Sequence, residues 1–124
     1  MNRYLNAMDE FNTWPWDCLY EDNMSMKTDI IRDGDNLILE IEMPGFNKED
    51  IKITLENGIL DVRGTKKQGD GKYVHREIKG GKSVRRFKVS SEFDSDNISA
   101  KYENGVLYVY LTKKEEKKTF IHIQ

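Results

Sequence analysis

The sequence predicts an all-β protein, a two-sheet antiparallel sandwich with a short arm before it and a tail after it. Short segments from Met26 onward alternate apolar and polar residues, Asn-Gly turns separate several of them, and no interior segment has the apolar spacing of a helix. Seven or eight short strands with one apolar side each bury those sides by packing as two sheets.

The first strands follow Met26. Ile30 and Ile31 precede the turn sequence Asp-Gly-Asp-Asn at 33–36. Residues 37–43 then alternate apolar and polar side chains until Pro44-Gly45 ends the strand. These residues predict one hairpin followed by a sharp turn.

Two further hairpins share a template, ITLENGILDV at 53–62 and AKYENGVLYV at 100–109. Asn-Gly is the preferred two-residue turn because both positions need positive φ. Alternation then predicts the inward residues, which are Ile51, Ile53, Leu55, Leu60 and Val62 in the first hairpin, and Ile98, Ala100, Tyr102, Leu107, Val109 and Leu111 in the second. Residues 83–89 predict another strand.

The glycine-rich segment 66–81 interrupts this pattern. It carries four glycines around a short strand-like stretch, Tyr-Val-His-Arg at 73–76. A connection of this length inside a small domain is either a mobile loop or an element donated to another molecule.

Composition divides the chain into an arm at 1–26, a domain at 27–112 and a tail at 113–124. The arm holds both tryptophans, the single cysteine and several large apolar residues, while Pro15 excludes a long helix. Two interpretations remain open for its aromatic residues. They pack onto the domain as core, or they form an adaptable sticky surface outside it.

The tail ends in a short apolar segment behind a charged tether. Ile121 and Ile123 are two residues apart, so in an extended chain both side chains leave one face about 7 Å from each other. Such a segment suits addition to a sheet edge. Residues 113–119 can extend roughly 20 Å, which is enough to reach another copy of the chain. Burial of two isoleucines gives about 3–6 kcal/mol before ordering costs, so a single contact is weak.

Bulk composition bounds the function. The chain has 124 residues, 37% hydrophobic and 34% charged, with a net charge of −2. We expect a soluble cytoplasmic protein, because no apolar run spans a membrane and no cleavable leader is present. The lone Cys18 fits a reducing compartment. The net charge predicts neither nucleic-acid binding nor membrane binding.

No catalytic, metal or cofactor site is predicted. Gly81-Lys82-Ser83 resembles the end of a phosphate-binding loop, but the required earlier glycine is Arg76. His75 and His122 are far apart and lack the spacing of metal ligands. We therefore expect neither an enzyme nor a cofactor.

The domain and tail together resemble the small heat-shock proteins, whose shared part is the α-crystallin domain. The tail matches the family's I-x-I motif, and Met43-Pro44-Gly45 is similar to its hydrophobic-Pro-Gly turn. The remaining matches are Ala100, Gly105, Val106 and Leu107 for A-x-x-x-x-G-V-L, Arg76 and Glu77 for R-E, and Arg85 and Phe87 for R-x-F. The resemblance covers about residues 27–124.

This resemblance implies an immunoglobulin-like sandwich and an ATP-independent holdase that binds partly unfolded client proteins as a homo-oligomer of dimers. The implied client-binding residues are Tyr4, Leu5, Met8, Phe11, Trp14, Trp16 and Leu19. Ile121 and Ile123 would enter a groove formed by Ile51, Ile53, Leu55, Ile98 and Ala100. The implied dimer-exchange residues are Tyr73, Val74, His75, Arg76 and Arg85.

Two functions other than the holdase are possible from the sequence, nucleic-acid binding and a co-chaperone role. Residues 72–88 carry seven Lys and Arg against one Glu, which would suit a phosphate backbone or, as we favour, acidic residues across a dimer. A client-specific co-chaperone of the p23-like kind uses the same sandwich, since fold alone does not determine function. The I-x-I tail argues against that second alternative.

Overall fold

A computed structural model describes residues 18–19, 26–67, 69–78, 80–115 and 119–124. Within these ranges eight strands and one 3₁₀ turn, Lys48–Asp50, are present, and no helix has the length and hydropathy to cross a membrane. The strands are β1 (Cys18–Leu19), β2 (Thr28–Asp33), β3 (Asn36–Glu42), β4 (Ile51–Glu56), β5 (Ile59–Lys66), β6 (Gly81–Lys88), β7 (Phe93–Glu103) and β8 (Val106–Lys113). The predicted all-β class is confirmed.

The strands form two four-stranded antiparallel sheets. Sheet A has the order β1-β6-β5-β4, and sheet B has the order β2-β3-β8-β7. The Tyr102 hydroxyl of β7 donates to the carbonyls of Met43 and Phe46, which precede β4. Arg85 of β6 donates to the carbonyl of Met26, which precedes β2. The end strands of the two sheets therefore lie along two sides of the sandwich, which we call its open sides. One open side is between β4 and β7, and the other is between β2 and the β1–β6 end of sheet A.

The core lies between the sheets and follows the predicted alternation. Every second residue of β3, β5 and β8 is buried, and the core consists of Met26, Leu37, Leu39, Ile41, Met43, Phe46, Leu60, Val62, Phe87, Val89, Phe93, Leu107, Val109 and Leu111. Met26 is fully buried, and the backbone N–H of Lys114 donates to the carbonyl of Glu92. Met26 and Lys114 therefore both belong to the packed domain.

Both Asn-Gly turns have the predicted geometry. Asn57 and Gly58 have φ values of 51° and 76°, and Asn104 and Gly105 have 53° and 77°. Glu103 pairs with Val106 across the second turn, as Glu56 does with Ile59 across the first. Positive φ at both central residues is the type I′ signature, which matches the twist of the flanking strands. Each hairpin thus pairs a buried inner strand with an edge strand.

Candidate protein-interaction surfaces

Half-buried apolar side chains line the two edge strands β4 and β7. Ile51, Ile53 and Leu55 alternate along β4 as half-buried residues, and Ile98 of β7 is half-buried as well. All four pack against the core. They remain partly accessible because an edge strand has a neighbour on one side only. We call this surface, together with Ala100, the edge groove.

Ala100 leaves the β7 wall of the edge groove open. It is exposed, although it pairs with the buried Val109 and shares its face of β7 with Ile98 and Tyr102. Its single methyl group is too small to cover the gap between the sheets. The sequence predicts the inward direction of this residue, whereas its exposure follows from its place at the sheet edge.

Tyr102 closes one end of the edge groove. Its hydroxyl lies 2.5 Å from the Met43 carbonyl oxygen and 3.1 Å from that of Phe46. Ile51 lies at the same end, because it pairs with Gly64, whose Cα faces the Phe46 ring. The groove therefore opens toward Leu55 and Ile98.

The predicted tail anchors lie outside the edge groove in this single chain. Ile121 and Ile123 are 86% and 90% exposed, and Phe120 is 93% exposed. Large apolar side chains at such exposure are unfavourable in water and are a common mark of an interaction segment. The groove and the tail are thus two accessible apolar surfaces of one chain.

The predicted exchange residues lie in the connection between β5 and β6. Within residues 69–78 no strand forms, and Val74 is 104% exposed. The contacts of this loop are local: Tyr73 donates to the Gly69 carbonyl at 2.9 Å, Arg76 stacks over the Tyr73 ring at 4.7 Å, and His75 lies 3.1 Å from the Glu77 carboxylate. The predicted stretch therefore pairs with no described strand of either sheet in the single chain.

Arg85 is placed apart from the other exchange residues. It points between the sheets, where one guanidinium nitrogen donates to the Met26 carbonyl at 2.8 Å and the group lies 5.2 Å from the Phe87 ring centre. Met26 lies two residues before the first residue of β2. Arg85 consequently fixes the start of β2 to β6 across the open side of the sandwich.

β2 is an edge strand that the sequence-based site prediction did not include. Among the described strands it pairs only with β3, so the backbone groups on its other edge have no strand partner. Asp29, Ile31 and Asp33 alternate along it as exposed residues. Charged residues on an edge are typical of strands that avoid unspecific pairing. The charged residues Asp29, Arg32 and Asp33 of this strand were the sequence signal for an edge.

The predicted client-binding residues mostly lie outside the described residues. These are Tyr4, Leu5, Met8, Phe11, Trp14 and Trp16. For Leu19 only the backbone is described, and it pairs with Arg86 at the edge of sheet A. The arm therefore meets the domain beside β6.

The basic segment 72–88 does not form one cationic track. Lys72 and Arg76 belong to the loop, Arg85 points inward, and Lys82, Arg86 and Lys88 point outward from sheet A. Arg86 is bound to Asp61 at 2.9 Å, and Arg63 contacts the same carboxylate at 2.7 Å. The hydrogen bond from Arg63, aided by Arg86, lowers the pKa of Asp61 despite its partial burial. The pairing and the spread of directions weaken the nucleic-acid alternative.

Within the described part of the chain, no group of three or more His, Cys, Asp or Glu side chains is arranged to hold a metal ion. Among the described residues, three cation–aromatic contacts lie at the surface or rim of the domain, such as Lys66 over Phe46 at 5.0 Å, whereas Arg85 lies over the buried Phe87. The described surfaces with a clear chemical character are thus apolar edges and charged faces, which suit protein partners.

Comparison with known proteins places the chain in a family. The model of the Hsp20/alpha crystallin family matches residues 29–124. Small heat shock protein C2 of Rickettsia felis is 36% identical over 67 residues, which are 54% of this chain and 44% of that protein. Heat shock protein HSP.16.4 of Streptococcus thermophilus is 37% identical over 67 residues, which are 49% of this chain and 46% of that protein. The matched segments thus span under half of these two relatives.

Solved structures agree with the sequence matches. The crystal structure of hspA from Xanthomonas axonopodis has a TM-score of 0.62 at 28% identity and covers 72% of this chain and 93% of that chain. A small heat-shock protein from Xylella fastidiosa has a TM-score of 0.67 at 27% identity, covering 80% of this chain and 94% of that chain. Because the family model matches residues 29–124, which include β3 to β8, the loop between β5 and β6 and the tail, the chain belongs to the Hsp20/alpha crystallin family of small heat shock proteins.

Proposed function

We propose that this protein is an ATP-independent holdase, which binds partly unfolded proteins and suppresses their aggregation. Membership of a chaperone family supports a chaperone role. The single observation that carries the proposal is that one folded chain has both a half-buried apolar groove and an exposed apolar tail. Surfaces of this kind bind apolar segments without a chemical step.

The tail would hold the assembly together by entering the edge groove of a neighbouring molecule. Ile121 and Ile123 leave one face of an extended chain at the spacing that separates Ile51 from Ile53 along β4. The estimated 3–6 kcal/mol of burial, reduced by ordering costs, makes one contact reversible. Several contacts in one assembly would be stable together and could still exchange one at a time.

The dimer would form by exchange of the loop strand. Residues 73–76 of one molecule would add to the unpaired edge of β2 in the other. Two observations support this pairing: Val74 is fully exposed in the single chain, and β2 lacks an outer neighbour among the described strands. The exposed Asp29 and Asp33 of β2 complement Lys72 and Arg76 of the loop.

The clients would bind first to the aromatic arm and then to edge grooves that the tails vacate. The proposed arm residues are the seven named from the sequence, of which Leu19 lies at the start of sheet A. Exposed apolar segments of a partly unfolded protein would meet these surfaces before they meet each other. The activity would require neither enzyme chemistry nor a nucleotide, and it would operate in the cytoplasm, where Cys18 stays reduced.

The decisive experiment measures light scattering from a heat-unfolding client, with and without near-stoichiometric amounts of this protein and without nucleotide. We expect scattering to fall in proportion to the amount of protein added. An equal amount of a folded globular protein serves as the control. Unchanged scattering across temperatures and ratios would contradict the holdase proposal and favour the co-chaperone alternative.

A tail variant separates assembly from dimer formation. Ile121→Gly with Ile123→Gly removes both anchors, so we expect the mass by light scattering to fall toward that of a dimer. Thr119→Gly with His122→Gly is the matched control, because it adds the same backbone freedom and keeps both isoleucines. An equal mass for the two variants would remove the tail from the assembly.

An arm truncation tests the client site. The cut should follow residue 17, because β1 pairs with β6 and Met26 is part of the core. We expect weaker suppression of client aggregation at an unchanged unfolding midpoint. Full suppression by the truncated protein would move the client site onto the domain.

A further inference from the structure

The outer face of sheet B carries an apolar row that neither the edge groove nor the exchange loop uses. Ile31 of β2 pairs with Ile38 of β3, which pairs with Tyr110 of β8. Ile31 is 39% exposed, and the other two are half-buried. Tyr108 lies in the next row of the same face, beneath the Lys101 ammonium at 5.4 Å. The row crosses three strands, so it is a continuous surface.

Acidic side chains surround this apolar row. Register and alternation direct the following charged residues of β2, β3 and β7 outward from sheet B: carboxylates at Asp29, Asp33, Glu40, Glu42 and Glu103, and one ammonium group at Lys101. Lys101 is itself 3.3 Å from Glu103. The face is therefore strongly negative, even though the whole chain has a net charge of only −2.

The outer face of sheet A has the opposite charge. Its outward cations are Lys52, Arg63, Lys82, Arg86 and Lys88, and its outward carboxylates are Glu56 and Asp61. Asp61 is shared between Arg63 and Arg86, so this cluster retains a positive charge. Ile59 and Val84 add half-buried apolar surface on the same face. The two outer faces of the sandwich thus carry opposite charges: that of sheet A is basic and that of sheet B is acidic.

We propose that the basic outer face of sheet A of one molecule docks onto the acidic, aromatic outer face of sheet B of a second copy. A second copy of the chain is the partner, because every molecule carries the complementary face. Opposite charges line the two surfaces, and each surface has apolar residues that would be covered in the contact. The contact uses the outward side chains of the two faces, whereas the proposed tail contact uses the edge groove and the proposed loop contact uses the backbone edge of β2. Asp29 and Asp33 of β2 would border both the face contact and the loop contact.

The small area of the two faces limits the strength of this contact. Four strands at about 4.8 Å spacing and six residues in length present roughly 400 Å² per face, below the ~800 Å² per partner of a stable independent interface. The contact is therefore weak alone and acts between molecules that other contacts already join. It is also heterologous, since two different surfaces meet, and a heterologous contact can repeat from molecule to molecule.

Charge reversal in the full-length protein tests this contact. Glu40→Lys with Glu42→Lys reverses the acidic face, and Lys82→Glu with Lys88→Glu reverses part of the basic face. We expect either pair to reduce the weight-average mass at low salt to roughly half, as measured by sedimentation velocity. The variant with all four changes reverses both faces and should restore the mass. The mass of the unaltered protein should fall as salt rises, because these charges are exposed.

Two controls make the result specific. Asp35→Lys with Glu92→Lys changes the net charge as the acidic-face variant does, but in turns rather than on the face, and should leave the mass unchanged. Equal unfolding midpoints for all variants verify that the fold is intact. Unchanged mass in the face variants, or failure of the fourfold variant to recover, would overturn the proposal. Unchanged mass with weaker client suppression by the acidic-face variant would overturn it as well and assign the face to clients.

Discussion

The two open sides of the sandwich differ in how they present themselves to a partner. The β4 and β7 side is an apolar groove, with half-buried Ile53 and Ile98 over the core. The β2 side offers a backbone edge that no described strand pairs with, exposes Asp29 and Asp33, and is joined at its start to β6 by Arg85. One side is suited to receive side chains and the other to receive a backbone. Two different proposed contacts can therefore form on one small domain without competing.

The largest effect is expected from breaking the closed end of the edge groove. Phe46 is 5% exposed, and its ring lies so close to Gly64 that a Cβ there would meet it at 2.6 Å. Phe46→Ala leaves a cavity in this tight packing and should cost about 3–5 kcal/mol of unfolding free energy, measured by urea unfolding. Val74→Ala, at a fully exposed position, is the control and should change it by less than about 0.5 kcal/mol. Similar costs for both would show that the groove end is not rigidly packed.

The matching test on the β2 side is Arg85→Ala. It removes the charged donor from the Met26 carbonyl and should cost about 1.5–3 kcal/mol in the same assay. Arg85→Lys keeps one charge and should recover part of the loss, since an ammonium group also donates hydrogen bonds. Hydrogen exchange should then be faster at the amides of β2 than at those of β7. Uniform acceleration across both sheets would contradict a local role on the β2 side.

Tyr102→Phe removes a single hydroxyl group from the β4 and β7 side. The two carbonyls of Met43 and Phe46 would lose their shared donor, at a cost of about 1–2 kcal/mol. The ring still fills its place, so the protein should remain folded, and the edge groove should become looser at its Ile51 end. The unfolding midpoint and the mass of the assembly measure these two effects. Tyr108→Phe on the outer face is the control, with little expected change in stability.

The smallest effect is expected at Asp61, which lies on the outer face of sheet A between the two sides. Hydrogen bonding to Arg63 and Arg86 lowers the pKa of Asp61 below its ordinary 3.8. Asp61→Asn should therefore cost less than about 1 kcal/mol near pH 7, because both arginines are partly exposed.

The sign of the pH dependence follows from that lowered pKa. The ionised Asp61 is favoured by the folded state, so its contribution is fully present above the unfolded pKa and is lost as the pH falls through the lower folded pKa. The difference in unfolding free energy between Asp61→Asn and the unaltered protein should shrink as the pH falls below 3.8. A difference that is constant down to about pH 2 would show that the carboxylate charge has no role.

Local chemistry made much of the fold predictable. Alternation with a period of two gives the inward residues of β3, β5 and β8, and Asn-Gly places both hairpin turns where positive φ occurs. The 86% and 90% exposure of Ile121 and Ile123 likewise agrees with a segment that has no place in the core. These features depend on residues near each other in the chain, which is why the sequence alone determined them.

The tertiary structure decided which strands became edges and how charges were distributed over the two faces. Ala100 is exposed because β7 ends a sheet, and Arg85 rather than Arg86 points inward because the inner side of β6 meets the start of β2. The acidic and basic outer faces combine residues from strands that are distant in the sequence, such as Asp29 with Glu103. A charge pattern of this kind depends on strand order and register, and long-range packing sets both.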